Sequence, residues 1–277
     1  MNALQQAISD AATVLAAAGI DSARADAEQL AAHVLGVDRG RLMFADPEPR
    51  ALDEFRALVG QRARRIPLQH LLGTAAFGPL TLAVGPGVFI PRPETEALLE
   101  WAQTVPVRPG GVIVDLCSGS GALALALARY RPDARVIAVE RSEEALRYAR
   151  ANVDGTTVEL LHADVTDRDV LADLSGEVDL VVANPPYIPD GAELEPEVAE
   201  HDPHSALFGG PDGMAVIEPI VELVSRLLRP GGQVGVEHDD STSVATVELF
   251  GAAGVFTGIA ARRDLAGRRR FVTAVRS

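Results

Sequence analysis

The 277 residues contain no lysine, so all 25 side chains counted as lysine or arginine are arginines. Cysteine is nearly absent as well. Cys117 stands alone, which excludes an internal disulfide and suits a reducing cytoplasm. No apolar run reaches the roughly 18 residues that a membrane-spanning helix needs. The opening residues, Met1 to Gln6, lack the basic cluster that begins a signal peptide. Aromatic residues make up only 4% of the chain, but hydrophobic residues make up 47%, ample for a core in a large domain with a smaller one beside it. Positive charge is short overall: 25 basic residues face 39 acidic ones, a net of −14. The first 75 residues are near neutral, with eight arginines against nine acids, and the remaining 202 carry −13. A nucleic-acid enzyme ordinarily shows phosphates a basic track. This balance would instead steer in a basic protein, or simply keep the chain soluble.

Two local patterns carry chemistry. The apolar run Val178–Ala183 reads as a buried strand and delivers Asn184-Pro185-Pro186-Tyr187 at its carboxyl end. Proline fixes φ and has no N–H, so this loop is stiff and rich in acceptors. The Asn184 side-chain oxygen and the Pro185 carbonyl can take both hydrogens of a planar NH2 group, and the Tyr187 ring can lie on its face. The plain alternative is a Pro-rich turn. Upstream, Val112–Leu116 leads into Cys117-Ser118-Gly119-Ser120-Gly121 and then an Ala-rich helical run from Ala122. Strand, small-residue turn and helix start form a ligand cradle. The pattern departs from the dinucleotide G-x-G-x-x-G, with Cys117 at the first glycine position. Asp115, just before the turn, would repel a phosphate and welcome an ammonium, which favours S-adenosylmethionine. Glu140 ends the next strand, 19 residues after Gly121, where an acid binds ribose hydroxyls. It could equally be an exposed residue ahead of a helix capped by Ser142. Asp164 is placed to accept from an adenine amino group and Val165 to pack on the ring, with a solvated turn as the alternative. His162 reads as structural.

The patterning predicts helices over Asn2–Gly19 and Asp21–Leu35, with Asp21 as a cap and Gly36 as the stop, and a third helix over Asp53–Arg65. Arg62, Arg64 and Arg65 read as a solvated helix end or a partner contact. Short apolar runs between Ala75 and Val88, broken by glycine and proline, predict a β-hairpin. From Glu94 onward strands and helices alternate, which predicts a parallel α/β sheet. An antiparallel edge pair is expected near Val255–Ala260 and Arg270–Val275. Pro189–Gly213 reads as a long, irregular acidic loop, a candidate lid.

The glycine turn, the ribose acid and Asn-Pro-Pro-Tyr, in that order, resemble a class I S-adenosylmethionine-dependent methyltransferase acting on an NH2 group. The tetrapeptide alone is shared with DNA adenine and ribosomal RNA guanine enzymes. Pro67–Gly73, Phe89-Ile90-Pro91-Arg92-Pro93-Glu94-Thr95-Glu96, Asp202–Gly210, Asp212-Gly213 and Val236-Glu237-His238 resemble the bacterial release-factor glutamine methyltransferases of the HemK/PrmC type. The resemblance runs from about Leu30 to the end. Cys117 and Asp202 stand where that family usually has Gly and Glu. The resemblance implies a Rossmann-like, mostly parallel seven-stranded sheet over 94–277, a helical partner-binding domain over 1–75 and a hairpin linker over 76–93. It also implies methylation of the Gly-Gly-Gln glutamine of class 1 release factors. A monomer is expected, since a protein substrate must reach the cleft, working in the cytoplasm with no metal, no membrane and no stable nucleic-acid partner. Asn184, Pro185 and Tyr187 would be catalytic, and Pro186 would join them in binding substrate. Asp115, Cys117, Ser118, Gly119, Ser120, Gly121, Glu140, Asp164, Val165, Asn184 and Arg92 would hold the cofactor. The basic partner that the charge would attract then has a candidate, since the Gly-Gly-Gln domain works against ribosomal RNA.

Overall fold

The computed structural model describes residues 3–277. The chain divides into two compact units. The first runs to Thr74 and includes Leu194–His201. Its helices are α1 (Ala3–Ala17), α2 (Ala23–Leu35), α3 (Pro49–Arg62) and α4 (Leu68–Leu72). The predicted apolar face of α1 is the buried one, with Leu4, Ile8, Ala11 and Leu15 inside, and Asn2 lies outside the described residues. Ala27, Leu30 and Ala31 of α2 meet Phe55 and Val59 of α3 in the same core. Gly36 ends α2 at φ 61, a left-handed conformation that suits glycine.

Three local expectations are corrected. The α2 cap position belongs to Ser22, not Asp21, and its hydroxyl donates to Asp26. Helix α3 begins four residues earlier than predicted because Pro49 starts it, a position where the missing N–H costs nothing. Arg62 is neither solvated nor free for a partner. It is 5% exposed, with Nε donating to Asp26 at 2.7 Å and Nη1 paired with Glu197 at 3.0 Å. Arg65 also pairs with Glu197 and donates to the Gly19 carbonyl, so only Arg64 is exposed.

The second unit opens with a hairpin, β1 (Thr74–Phe77) and β2 (Leu80–Ala83), followed by α5 (Glu96–Thr104). Then come β3 (Val112–Leu116), α6 (Ala122–Tyr130), β4 (Arg135–Glu140), α7 (Glu143–Val153), β5 (Glu159–His162) and β6 (Val178–Ala183). The chain continues through α8 (Pro196–His201, grouped with the first unit), α9 (His204–Leu207), α10 (Ile217–Leu227) and β7 (Leu228–Glu237). It finishes with α11 (Ser243–Ala252), β8 (Phe256–Arg263) and β9 (Arg269–Arg276). The seven-stranded sheet has the order β5-β4-β3-β6-β7-β9-β8, parallel except that β9 runs antiparallel to β7 and β8. Apolar clusters cover both faces, which is why every residue of β6 is buried.

From β3 the chain builds outward through β4 to β5, then returns to place β6 on the other side of β3. That switch point opens a crevice at the carboxyl ends of β3 and β6. The register aligns the rim: Leu116 pairs with both Val139 and Ala183, and Ala183 pairs with Val236. The residues that follow each strand therefore share one edge. At the opposite end of β6, buried Asp179 accepts from Arg108, Arg229 and the Val112 N–H. Burial alone would raise its pKa, but these partners outweigh that and hold it below the usual carboxylate range.

Candidate active site

The glycine turn follows β3 as predicted, and its backbone is unusual. Cys117, Gly119 and Gly121 all have positive φ, at 59°, 58° and 84°. Cys117 thus adopts a left-handed conformation that a glycine takes at less steric cost. Nothing lies within 4 Å of where a Gly119 side chain would start, so the turn faces open space. Asp115 lies beneath it and is 1% exposed. Its Oδ2 accepts from the Ser118 hydroxyl at 2.8 Å and the Ala124 N–H at 3.1 Å, while Oδ1 is buried with no partner among the described residues. Burial, helped by the nearby Glu140 charge, pushes its pKa up to about 7 against the pull of those two donors. Burial likewise pushes the Cys117 thiol up, which disfavours a thiolate there.

Glu140 is 8% exposed and already engaged: Oε2 accepts the Gly119 N–H at 2.8 Å and Oε1 the Ser142 N–H at 2.7 Å. It fastens the glycine turn to α7 and keeps lone pairs free, since each carboxylate oxygen can accept twice. Ser142 caps α7 as expected, accepting from the Ala145 N–H. Beside them is a cavity of about 460 Å³ lined by Arg141, Ser142, His162, Ala163, Asp164 and Ser205. Asp164 Oδ1 takes both donors of Thr166, and Oδ2 lies 3.6 Å from Arg141. Val165 is buried in the core rather than lining this cavity.

Asn152 was not anticipated. It donates to the Ser120 and Ala83 carbonyls and accepts the Ala83 N–H at 2.7 Å, tying the glycine turn to the hairpin. The hairpin's glycines serve close packing: a side chain on Gly87 would start 2.9 Å from Glu144.

Across the crevice, Pro185 and Pro186 are buried, and Asn184 and Tyr187 are half-buried. The Asn184 Nδ2 donates to the Thr95 hydroxyl at 3.1 Å, which leaves Oδ1 without a partner among the described residues. The Tyr187 hydroxyl donates to Glu237 Oε1 at 2.9 Å, and its ring leans on the core. Thr95 and Glu237, both buried, were not singled out as site residues. Their separations from Asn184 and Tyr187, 89 and 50 residues, put them beyond any local pattern. The one available signal was that both fall within stretches that carry the family resemblance.

The predicted acidic loop is more ordered than expected. Ile188 and Phe208 form a parallel bridge, α8 and α9 lie between them, and the Ile188 and Gly209 N–H groups bond to Leu207 and Ile188 carbonyls. Arg92, expected at the cofactor, pairs with buried Asp202 and lies over the Phe89 ring. Its charge is therefore neutralised within the protein.

The turn fits S-adenosylmethionine. The Asp115 oxygen without a partner among the described residues suits an ammonium, open space at Gly119 admits a ligand, and Asp164 lines the cavity beyond Glu140. Among the described residues, no cluster of His, Cys, Asp and Glu could hold a metal ion, and no helix is long and apolar enough to cross a membrane.

Comparisons with known proteins find methyltransferases. Residues 6–73 match the PrmC N-terminal domain model, and residues 80–201 match the methyltransferase small domain. The release factor glutamine methyltransferase of Mycolicibacterium smegmatis is 67% identical over 277 residues, covering 100% of this chain and 99% of that one. The Mycobacterium tuberculosis protein of the same name is 60% identical over 280 residues, covering 99% and 91%. Among solved structures, a Pyrococcus furiosus methyltransferase superposes with a TM-score of 0.54 at 18% identity, covering 78% of this chain and 98% of that one. That likeness concerns the fold.

Proposed function

Because this chain belongs to the release factor glutamine methyltransferase family, we propose that it transfers a methyl group from S-adenosylmethionine to the side-chain amide nitrogen of the glutamine in the Gly-Gly-Gln motif of class 1 release factors. The observation that carries this reading is the set of the Asn184 amide. With Nδ2 given to Thr95, Oδ1 is the group left to meet a substrate, and it is an acceptor.

When bound, S-adenosylmethionine supplies an electrophilic methyl group. Asp115 would hold its ammonium end, the turn from Cys117 to Gly121 would admit its amino-acid end, and Glu140 would accept from its ribose. The remaining work falls to the crevice. A glutamine amide nitrogen is a poor nucleophile because its lone pair is delocalised. Accepting its two N–H groups on Asn184 Oδ1 and the Pro185 carbonyl fixes its orientation and favours positive charge on nitrogen as it attacks. Pro186 keeps this backbone rigid. Tyr187 forms the adjoining wall, with its ring available to the amide face. The Asn184-Pro185-Pro186-Tyr187 loop offers no general base, so the proton leaves to water after transfer.

The helical domain, residues 1–75, is the region proposed to engage the release factor. A cytoplasmic monomer suits that task, since a protein substrate must reach the crevice. Incubating the enzyme with labelled S-adenosylmethionine and equal amounts of release factor, ribosomal RNA and DNA tests the reading. Label is expected on the protein, and label on nucleic acid alone would replace this substrate with a nucleobase amine.

A further inference from the structure

We propose that Glu237 is a positioning residue for methyl transfer, holding Tyr187 directly and Asn184 through Thr95 in the orientation that presents acceptors to the substrate amide. The inference rests on the function proposed above and adds a residue to it.

Glu237 ends β7, one step past Val236, which pairs with Ala183 at the end of β6. The carboxyl group therefore lies beside the start of the Asn184 loop, 1% exposed. Its Oε1 accepts the Tyr187 hydroxyl at 2.9 Å. The Thr95 hydroxyl, which receives the Asn184 Nδ2 at 3.1 Å, also favours the charged form of Glu237. A hydroxyl has one hydrogen. When that hydrogen points at a carboxylate, the oxygen can only accept from Asn184, and the amide must turn Nδ2 inward and Oδ1 outward. If Glu237 is neutral, the hydroxyl is free to donate, the amide can flip, and the crevice then shows the substrate a donor where it needs an acceptor.

Among the described residues, Glu237 Oε2 is buried and makes no hydrogen bond of ordinary geometry, an arrangement that costs stability. The groups facing it are Tyr187, Thr95 and Glu94, Arg270 from β9, and the neighbouring His238, whose pKa burial lowers. Burial dominates and pushes the Glu237 pKa up to about 7; the Thr95 and Tyr187 hydroxyls and Arg270 oppose the rise, and Glu94 adds to it.

The test is Glu237→Gln, which keeps the shape and removes the charge. At saturating S-adenosylmethionine, kcat on release factor should fall at least about tenfold, with KM and cofactor affinity within about twofold. The rise of kcat with pH through about 7 in the unaltered enzyme should flatten. Thr95→Val should reproduce the loss. A Gln variant with near-normal kcat and an unchanged pH profile overturns the proposal. A second readout needs no substrate. The Asn184 side-chain amide resonances of the unaltered protein should shift with pH around 7 and lose that shift in Glu237→Gln. Resonances indifferent to pH in the unaltered protein also overturn it. Failure of the unaltered enzyme to methylate release factor would instead count against the proposed substrate, with the resonances still deciding the role of Glu237.

Discussion

At the residue scale, the site rests on a few buried polar atoms whose partners are set by geometry. Replacing Asn184 with Ala removes the outward acceptor. It should cut kcat by at least about 100-fold while S-adenosylmethionine still binds, measured by steady-state kinetics beside calorimetry. Near-normal turnover would remove Asn184 from the mechanism. Asp115 gives a pH signature. Its pKa, pushed by burial up to about 7, means that it is half-protonated near neutrality. A cofactor ammonium favours the ionised form, so affinity should strengthen as pH rises through about 7 and binding at lower pH should release a proton. Calorimetry in buffers of different ionisation enthalpy reads both, and Asp115→Asn should abolish the pH dependence. Asp115, Gly119, Glu140 and Asn184 were legible because each sits at the end of an apolar strand, where side chains on neighbouring strands converge. Thr95, Asn152 and Glu237 were not, since their contacts join residues dozens of positions apart. Val165 was placed on a ligand ring by proximity to Asp164 in sequence, whereas the chain turns it into the core.

At the element scale, strand positions were read well because continuous apolar runs mark buried parallel strands. The run Val178–Ala183 matches β6 end for end. Helix starts were read less well. Pro49 and Ser22 set them through backbone chemistry, while the apolar pattern points only to the middle of each helix. The acidic segment was mistaken for an irregular loop because α8 and α9 are short, with no buried residue in α8 and Leu207 alone buried in α9. The glycines that follow support the active loop. A side chain on Gly209 would start 2.5 Å from the Pro186 carbonyl oxygen, and one on Gly213 would strike the Tyr187 carbonyl. Gly209→Ala should therefore push the Asn184 loop out of place. We expect kcat to fall by roughly tenfold or more, since small misplacements are costly, while cofactor affinity barely changes. Unchanged kcat would mean that the loop tolerates the shift.

At the scale of the whole molecule, net charge was a blunt guide. Between Arg262 and Arg270, five arginines face only Asp264, a local +4 that leaves −18 on the rest of a chain at −14. This basic end of the β8–β9 hairpin adjoins the carboxyl end of β7, where His238 bonds to the Arg270 carbonyl. A balance taken over 202 residues concealed it. The two raised carboxyl groups also shape stability. Asp115 and Glu237 hold protons in the fold up to about pH 7 but release them near pH 4 when unfolded. The folded state binds more protons in that window, so stability should decline as pH rises from about 4 to about 7, by up to about 4 kcal/mol for Asp115 and about 3 kcal/mol for Glu237. Denaturant titrations across this range should show the decline in the cofactor-free protein, reduced in Asp115→Asn and in Glu237→Gln. A stability that rises with pH over the same window would contradict the burial of these charges.

The most direct measurement is mass-spectrometric mapping of purified release factor after incubation with this enzyme and S-adenosylmethionine, beside a factor whose Gly-Gly-Gln glutamine is replaced by alanine. The account predicts one added methyl group, on that glutamine, and none on the variant. Methylation of the variant, or at another residue, would contradict it.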